Sequence, residues 1–441
     1  MLEYIMSGTS YTRILTKTWA ENPTLIEFGK DVLMEINQYK DTHKLGLLYN
    51  ALTEKNGVEW LGHYSDSVSS IHTDSGGLQI MQQGKTITPE IAENIFKVQA
   101  QASHIAMSFD SIPIKIVAEG NARTDMSIKR FDVSKNIACG IASGKYVQQQ
   151  IECFKANRDT SLFHTKPLII IQGNSKQDFI DYFEAIKSQI TPENYKEVGG
   201  FAIAGSAIGV GVLEALDSCY AFDCLDIPEE MGTQLHFLGY GSMSRLLPII
   251  MLFRNGMLSK YTISYDSTSH SSRYFFGSTF DEGMKLVDFG REAHNSKATY
   301  IFGKIYDRFE HNIVQHLKVT RDEWLHNVTG NLVDSTKFHV TETQNQNFVD
   351  CCYASVLLAA LFSIQNFIHL MDECIHDTEY NHVSKKVKGY KIIQYLEENC
   401  NTGDLWYDVH RSKVSKYLKS NRIERITDND AEVFITLDSF F

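Results

Sequence analysis

The chain has 441 residues, 43% of them hydrophobic, which is enough for one large barrel plus an appendage. A formal net charge of -12 excludes a protein whose whole surface is a polycation, so any nucleic-acid binding must come from a local basic face. No N-terminal stretch joins a basic end to an apolar core as a signal peptide does. The apolar runs 246–253 and 356–362 are short of the roughly 20 residues that cross a bilayer, so no membrane contact is expected. Eight cysteines are scattered without framework spacing, which fits free thiols in a reducing cytoplasm.

In chain order, Thr88-Pro89 opens a helix whose Ile91, Ile95 and Val98 share one face. Residues 105–110 form a β-rich segment, and 167–172 form an apolar run suited to a strand buried on both faces. Ser175 is the expected N-cap of a helix with Phe179, Tyr182, Phe183 and Ile186 on its buried face. Further strands are expected at 201–204, 235–238 and 261–265. Strand, loop and helix alternate through most of the chain. That pattern predicts an α/β fold, a (β/α)8 TIM barrel over 1–340, followed by a helical, partly basic C-terminal region over 341–441. A doubly wound sheet is the competitor, but no Gly-rich dinucleotide loop opens a first helix.

Polar motifs follow the strands, where such barrels place their chemistry. They are Thr73-Asp74-Ser75-Gly76-Gly77-Leu78-Gln79, Ser108-Phe109-Asp110-Ser111-Ile112-Pro113, Ile171-Gln172-Gly173, Gly199-Gly200-Phe201-Ala202-Ile203-Ala204-Gly205, Leu238-Gly239-Tyr240-Gly241 and Tyr265-Asp266-Ser267-Thr268-Ser269-His270. Taken singly, Asp-Ser-Gly-Gly is ordinary turn chemistry and Asp-Ser an ordinary helix cap. In this order, the set resembles the tRNA-guanine transglycosylase superfamily over roughly residues 60–280, and more weakly to about 375.

The resemblance implies exchange of guanine in a nucleic acid for a 7-deazaguanine such as preQ0, through a covalent aspartyl-sugar intermediate, with no redox or nucleotide cofactor. It assigns Asp266 as the nucleophile on C1′ and Asp74 as the acid/base that serves the leaving and incoming bases. Ser75 and Gly76 would lie against the base. Asp110 would accept from the guanine ring N–H and amine, and Gln172 and the Gly200 N–H would serve O6. Leu238 stands where the family has a residue that stacks on the base.

The chain departs from the family at its structural zinc site. Cys351-Cys352 lacks the Cys-x-Cys-x-x-Cys pattern, and Gln365 stands where the zinc histidine would be. Zinc is therefore not expected, and His369, on an apolar helix, reads as a packed core histidine. The missing zinc pattern makes the chain look more like the DNA-guanine transglycosylases of the DpdA type in bacteria and phages. DNA is accordingly the favoured polymer and tRNA the alternative. A non-catalytic nucleic-acid-binding partner subunit would not need both aspartates, and a two-carboxylate glycosidase would not need the guanine-reading set. A homodimer or partner proteins remain open. Phosphate contacts are expected from Arg273 and from a basic segment, 381–425, with ten Lys/Arg against five Asp/Glu. Its Lys413, Lys416 and Lys419 are the first candidates, interleaved with Tyr390, Tyr395, Trp406 and Tyr417. The alternative for that segment is a solvated helical face.

Overall fold

A computed structural model describes residues 2–19, 22–53, 61–77, 80, 87–116, 129–205, 212–241, 250, 254, 259, 261–290, 296–330, 346–377, 394, 397–398 and 410–420. Leu78, Gln79, Tyr390, Tyr395 and Trp406 lie outside these residues, as does most of the basic segment 381–425.

Eight strands close a barrel: β1 (Leu2–Met6), β2 (His43–Asn50), β3 (Ile71–Asp74), β4 (Ile105–Met107), then β7 (Lys166–Gly173), β8 (Gly200–Gly205), β9 (Gln234–Phe237) and β10 (Thr262–Ser267), which pairs back to β1. Every pairing in the ring is parallel. A hairpin, β5 (Ile114–Ile116) with β6 (Lys129–Phe131), is inserted after β4. A second hairpin, β11 (Ser278–Phe280) with β12 (Leu286–Asp288), follows β10.

The connecting helices include α1 (Pro23–Asn37), α2 (Pro89–Ala102), α3 (Asn136–Ala156), α4 (Lys176–Lys187) and α5 (Val212–Asp223). The barrel is followed by α6 (Ser296–Asn312), α7 (Arg321–Gly330), α8 (Gln346–His376) and α9 (Arg411–Ser420). Their starts are set by side-chain caps: Asn22 accepts from the N–H groups of Thr24 and Leu25, Thr88 from Ile91, and Ser175 from Asp178. Pro23 and Pro89 occupy first-turn positions, where no backbone donor is missed.

The apolar run in β7 shows how the barrel fills. Leu168 and Ile170 join Met107, Ala202 and Ala204 inside the ring, while Ile169 and Ile171 face outward into the layer under the helices. Strands buried on both faces are what parallel barrels require. The other side of the interior is polar, with buried Glu3, His72, His236 and Ser264.

Helix α8 packs into the same hydrophobic cluster as the barrel strands. Phe367 meets Tyr4, Tyr265 and His270 edge-on or tilted, with ring centroids 4.7–6.2 Å apart. Its segment Phe348–His376 is long and apolar enough to cross a membrane by length and composition, although the separate runs in the sequence are short. Nearly all of that apolar surface is buried inside the protein, as in a core helix.

Candidate active site

The barrel register brings the ends of β2, β3, β7, β8 and β10 to one rim. Asn50 pairs with Asp74, Gln172 with Ala204, Gly173 with Gly205, and Ile5 with Asp266. Asp110 follows β4 by three residues and reaches the same group, because Gln172 Nε2 donates to its Oδ2 at 2.5 Å.

Asp74 ends β3 half-buried, and its carboxylate accepts from Asn50 Nδ2 at 3.2 Å. Burial pushes its pKa up to about 6; the Asp266 charge adds to the rise, and the N–H groups of Gly76 and Ser75 oppose it. Ser75 is buried, and its hydroxyl accepts from the Gly77 N–H at 3.4 Å. Gly76 has φ of +71°, and a Cβ there would come within 2.7 Å of Leu52 and 3.0 Å of Asn50 Oδ1. The turn after Asp74 therefore needs glycine twice over, for its left-handed backbone and for its space.

Asp110 is also pushed up to about 6 by burial, with the Asp74 charge adding and the Gln172 hydrogen bond opposing. The Gln172 amide keeps a second N–H besides the one given to Asp110, and its buried Oε1 has no hydrogen-bond partner among the described residues. An acceptor and an amide thus stand side by side, in the pattern that reads one edge of a purine. Leu238 directly follows β9, donates its N–H to the Ile203 carbonyl at 3.1 Å, and packs half-buried against the interior apolar cluster.

Asp266 is buried in β10 and held by the turn after β9. Gly239 N–H donates to its Oδ1 at 2.6 Å, and Gly241 N–H donates to its backbone carbonyl at 2.7 Å. A single helical turn, Ser269–Ser272, follows. There buried His270 meets Gly241 O at 3.2 Å through Nε2 and Ser363 Oγ of α8 at 2.7 Å through Nδ1. Burial lowers the His270 pKa to about 4, so the ring is neutral, with Nε2–H donating to Gly241 and Nδ1 accepting from Ser363. In this way α8 is tied to the turn that holds Asp266.

One assigned position belongs elsewhere. Gly200 opens β8, paired with Leu168, at the end of the barrel opposite the Gln172–Ala204 pair. Its φ is +146°, and a Cβ would fall 2.0 Å from the Gln234 carbonyl oxygen, so glycine there serves strand packing. Gly205, which ends β8 beside Gly173, is the glycine at the rim. The sequence carries glycines at both ends of this strand, and only the register tells them apart.

One other expectation also changes. His369 is exposed rather than packed in the core and stands 3.6 Å from Glu373 one turn on. Cys351 and Cys374 are 23 residues apart on one helix, about 34 Å at 1.5 Å per residue, so they cannot share a metal. Gln365 accepts from Arg308 Nε at 2.6 Å. No cluster of three or more His, Cys, Asp or Glu placed to hold a metal occurs among the described residues.

The basic candidates fall in two places. Arg273 is half-buried, with its guanidinium 6.0 Å from the Phe280 ring centroid. Lys413, Lys416 and Lys419 are exposed on α9, which is clamped to the outer wall by Arg411 against Asp217 of α5, at 2.9–3.0 Å. Sequence reasoning missed Asn50, which orients Asp74, and His236, whose Nε2 lies 3.4 Å from Asp266 Oδ1. An Asn-to-Asp contact between neighbouring strand ends leaves no spacing signal in one sequence. No family model and no curated protein matches this chain.

Proposed function

We propose that the chain is a guanine transglycosylase, a pentosyltransferase that exchanges guanine in a nucleic acid, DNA in preference to tRNA, for a 7-deazaguanine such as preQ0. The observation that carries this reading is the placement of Asp74, Asp110, Gln172 and Asp266 at one end of the barrel, with two of the carboxyls raised to about 6 and the third held by a backbone N–H. In the first step an Asp266 oxygen attacks C1′. The C1′–N9 bond breaks, its electron pair goes to the base, and the protonated Asp74 gives the departing guanine a proton. In the second step the incoming base loses its N9 proton to Asp74 and attacks C1′, and the Asp266 carboxylate leaves. A carboxyl that titrates near pH 6 is suited to both transfers, because it gives and regains its proton at little cost near neutrality.

Asp110 and Gln172 supply the selectivity. Guanine offers a ring N–H and an amine to a carboxylate and an O6 to an amide N–H, whereas adenine offers the reverse pattern. The preference for DNA rests on the contrast with the tRNA enzymes, whose zinc histidine is replaced by Gln365, here engaged by Arg308.

The test is adduct trapping. Wild-type protein mixed with guanine-containing oligodeoxynucleotide or tRNA, then denatured, should carry a covalent nucleic acid, and Asp266→Asn should carry none, because an amide is a poor nucleophile. Nucleosides from DNA and tRNA of cells with and without the gene, compared by mass spectrometry, identify the polymer. No adduct with either polymer, and no 7-deazaguanine in either pool, would leave a nucleic-acid-binding subunit as the better description.

A further inference from the structure

The polar half of the barrel interior holds two histidines that the reaction above does not use. His236 on β9 points between two groups of β10. Its Nδ1 is 2.9 Å from Ser264 Oγ, and its Nε2 is 3.4 Å from Asp266 Oδ1. Ser264 Oγ also accepts from Gln234 Nε2 at 2.7 Å. With a lone pair engaged by Gln234, the Ser264 hydroxyl is oriented to give its proton to His236 Nδ1, which leaves the imidazole proton on Nε2, facing the carboxylate. Asp266 Oδ1 already accepts the Gly239 N–H at 2.6 Å.

We propose that His236 is a positioning residue for Asp266: fixed by Ser264 on one side, it presents Nε2–H to Oδ1 on the other, so that Oδ2 is the oxygen left to react. Two donors on one oxygen pin the rotation of the carboxylate about Cβ–Cγ and keep one lone-pair set for the sugar carbon. The same donors ease the return step, because they stabilise the negative charge that reappears when the Asp266–C1′ bond breaks. The 3.4 Å separation is long for a hydrogen bond, and such contacts tighten when substrate fills the site.

The groups behind His236 fit this role. His72 of β3 lies beside it with ring centroids 5.7 Å apart. His72 Nε2 is 3.7 Å from Oε2 of Glu3 on β1, and Ser69 and Ser70 donate to Glu3 Oε1. The charged and titratable groups facing His236 are therefore Asp266, His72 and Glu3, from three different strands. Burial lowers the His236 pKa against the pull of both carboxylates, so the ring stays neutral. A neutral donor steers the carboxylate without cancelling the charge that makes it a nucleophile.

This assignment rests on Asp266 as the reacting group, so the test has one arm that needs no turnover. In protein labelled with 15N-histidine, the His236 resonances, identified by their loss in His236→Phe, should report Nδ1 unprotonated and Nε2 protonated near neutral pH, and Asp266→Asn should move the Nε2 resonance. A proton on Nδ1, or an Nε2 resonance indifferent to Asp266→Asn, overturns the proposal whatever the reaction is. In the kinetic arm, His236→Phe, checked for an unchanged melting temperature, should lower kcat and adduct formation about 100-fold with KM for the oligonucleotide unchanged, the scale set by misplacing a reacting group by about 1 Å. His236→Gln should recover part of the loss, since its amide also donates. A fully active His236→Phe overturns the proposal and leaves the transglycosylase reading standing. Absence of an adduct in wild type, with the expected tautomer and the expected Asp266→Asn shift, supports the pairing and sinks the reaction instead.

Discussion

At the residue scale, the two raised carboxyls make the stability of the fold depend on pH. Asp74 binds its proton more tightly in the folded chain than in the unfolded one, with a pKa near 6 against an ordinary 3.8. The stability this contributes is therefore present below about pH 4 and is lost as pH rises through about 6. Above that, Asp74 sits ionised, half-buried and near Asp266. Asp74→Asn should accordingly raise stability at pH 7 by up to about 3 kcal/mol, with no gain at pH 4, while abolishing base exchange; urea melts at the two pH values check this. Equal stability at both would mean that solvent already screens the site. The placement of Asp74, Asp110, Gln172 and Asp266 at strand ends was legible in the sequence because short polar motifs after apolar runs are local features. Gly200 was misread because a strand with a glycine at each end does not say which end faces the site. His236 was invisible because an alternating His in a short strand reads as interior packing, and its partner Asp266 is 30 residues away.

At the element scale, β7, β8, β9 and β10 announce themselves as apolar runs bounded by polar turns, and α2 and α4 by their caps. β1 and β2 do not. Leu2–Met6 contains Glu3, and His43–Asn50 contains Gly46, features that ordinarily weaken a strand assignment. Both are explained inside the barrel. Burial pushes the Glu3 carboxyl up, but His72 3.7 Å away and hydrogen bonds from Ser69 and Ser70 outweigh that push and hold it down to about 2. A Cβ on Gly46 would come within 2.6 Å of Ile5 and 3.1 Å of Glu3 Oε1. Such long-range compensation exists only after the ring has closed. Helix α8 was read as helical from its composition, but its hold on the Asp266 turn through Ser363 and His270 emerges from the three-dimensional packing. Phe367 is fully buried at that joint. Phe367→Ala should cost about 3–5 kcal/mol of stability. It should also lower kcat beyond what the unfolded fraction accounts for, as measured on the folded fraction at low temperature. A loss of stability with kcat untouched would separate α8 from the site.

At the scale of the whole molecule, neighbouring segments of the barrel wall approach closely at the end away from the carboxylates. Gly199, Gly200 and Gly232 bring strands there into backbone contact, so that a Cβ on Gly232 would fall 2.2 Å from the Gly199 carbonyl oxygen. The interior is filled by Met107, Leu168, Ile170, Ala202 and Ala204 on one side and by Glu3, His72 and His236 on the other. Among the described residues, a base held at the rim therefore faces a filled interior on its inner side. In the proposed exchange, the outgoing guanine leaves before its replacement enters, and for that interval the sugar is held by Asp266 alone. Steady-state rates measured against varied oligonucleotide and varied incoming base should give parallel double-reciprocal lines, with free guanine competing against the incoming base. Intersecting lines would mean that both bases are bound at once.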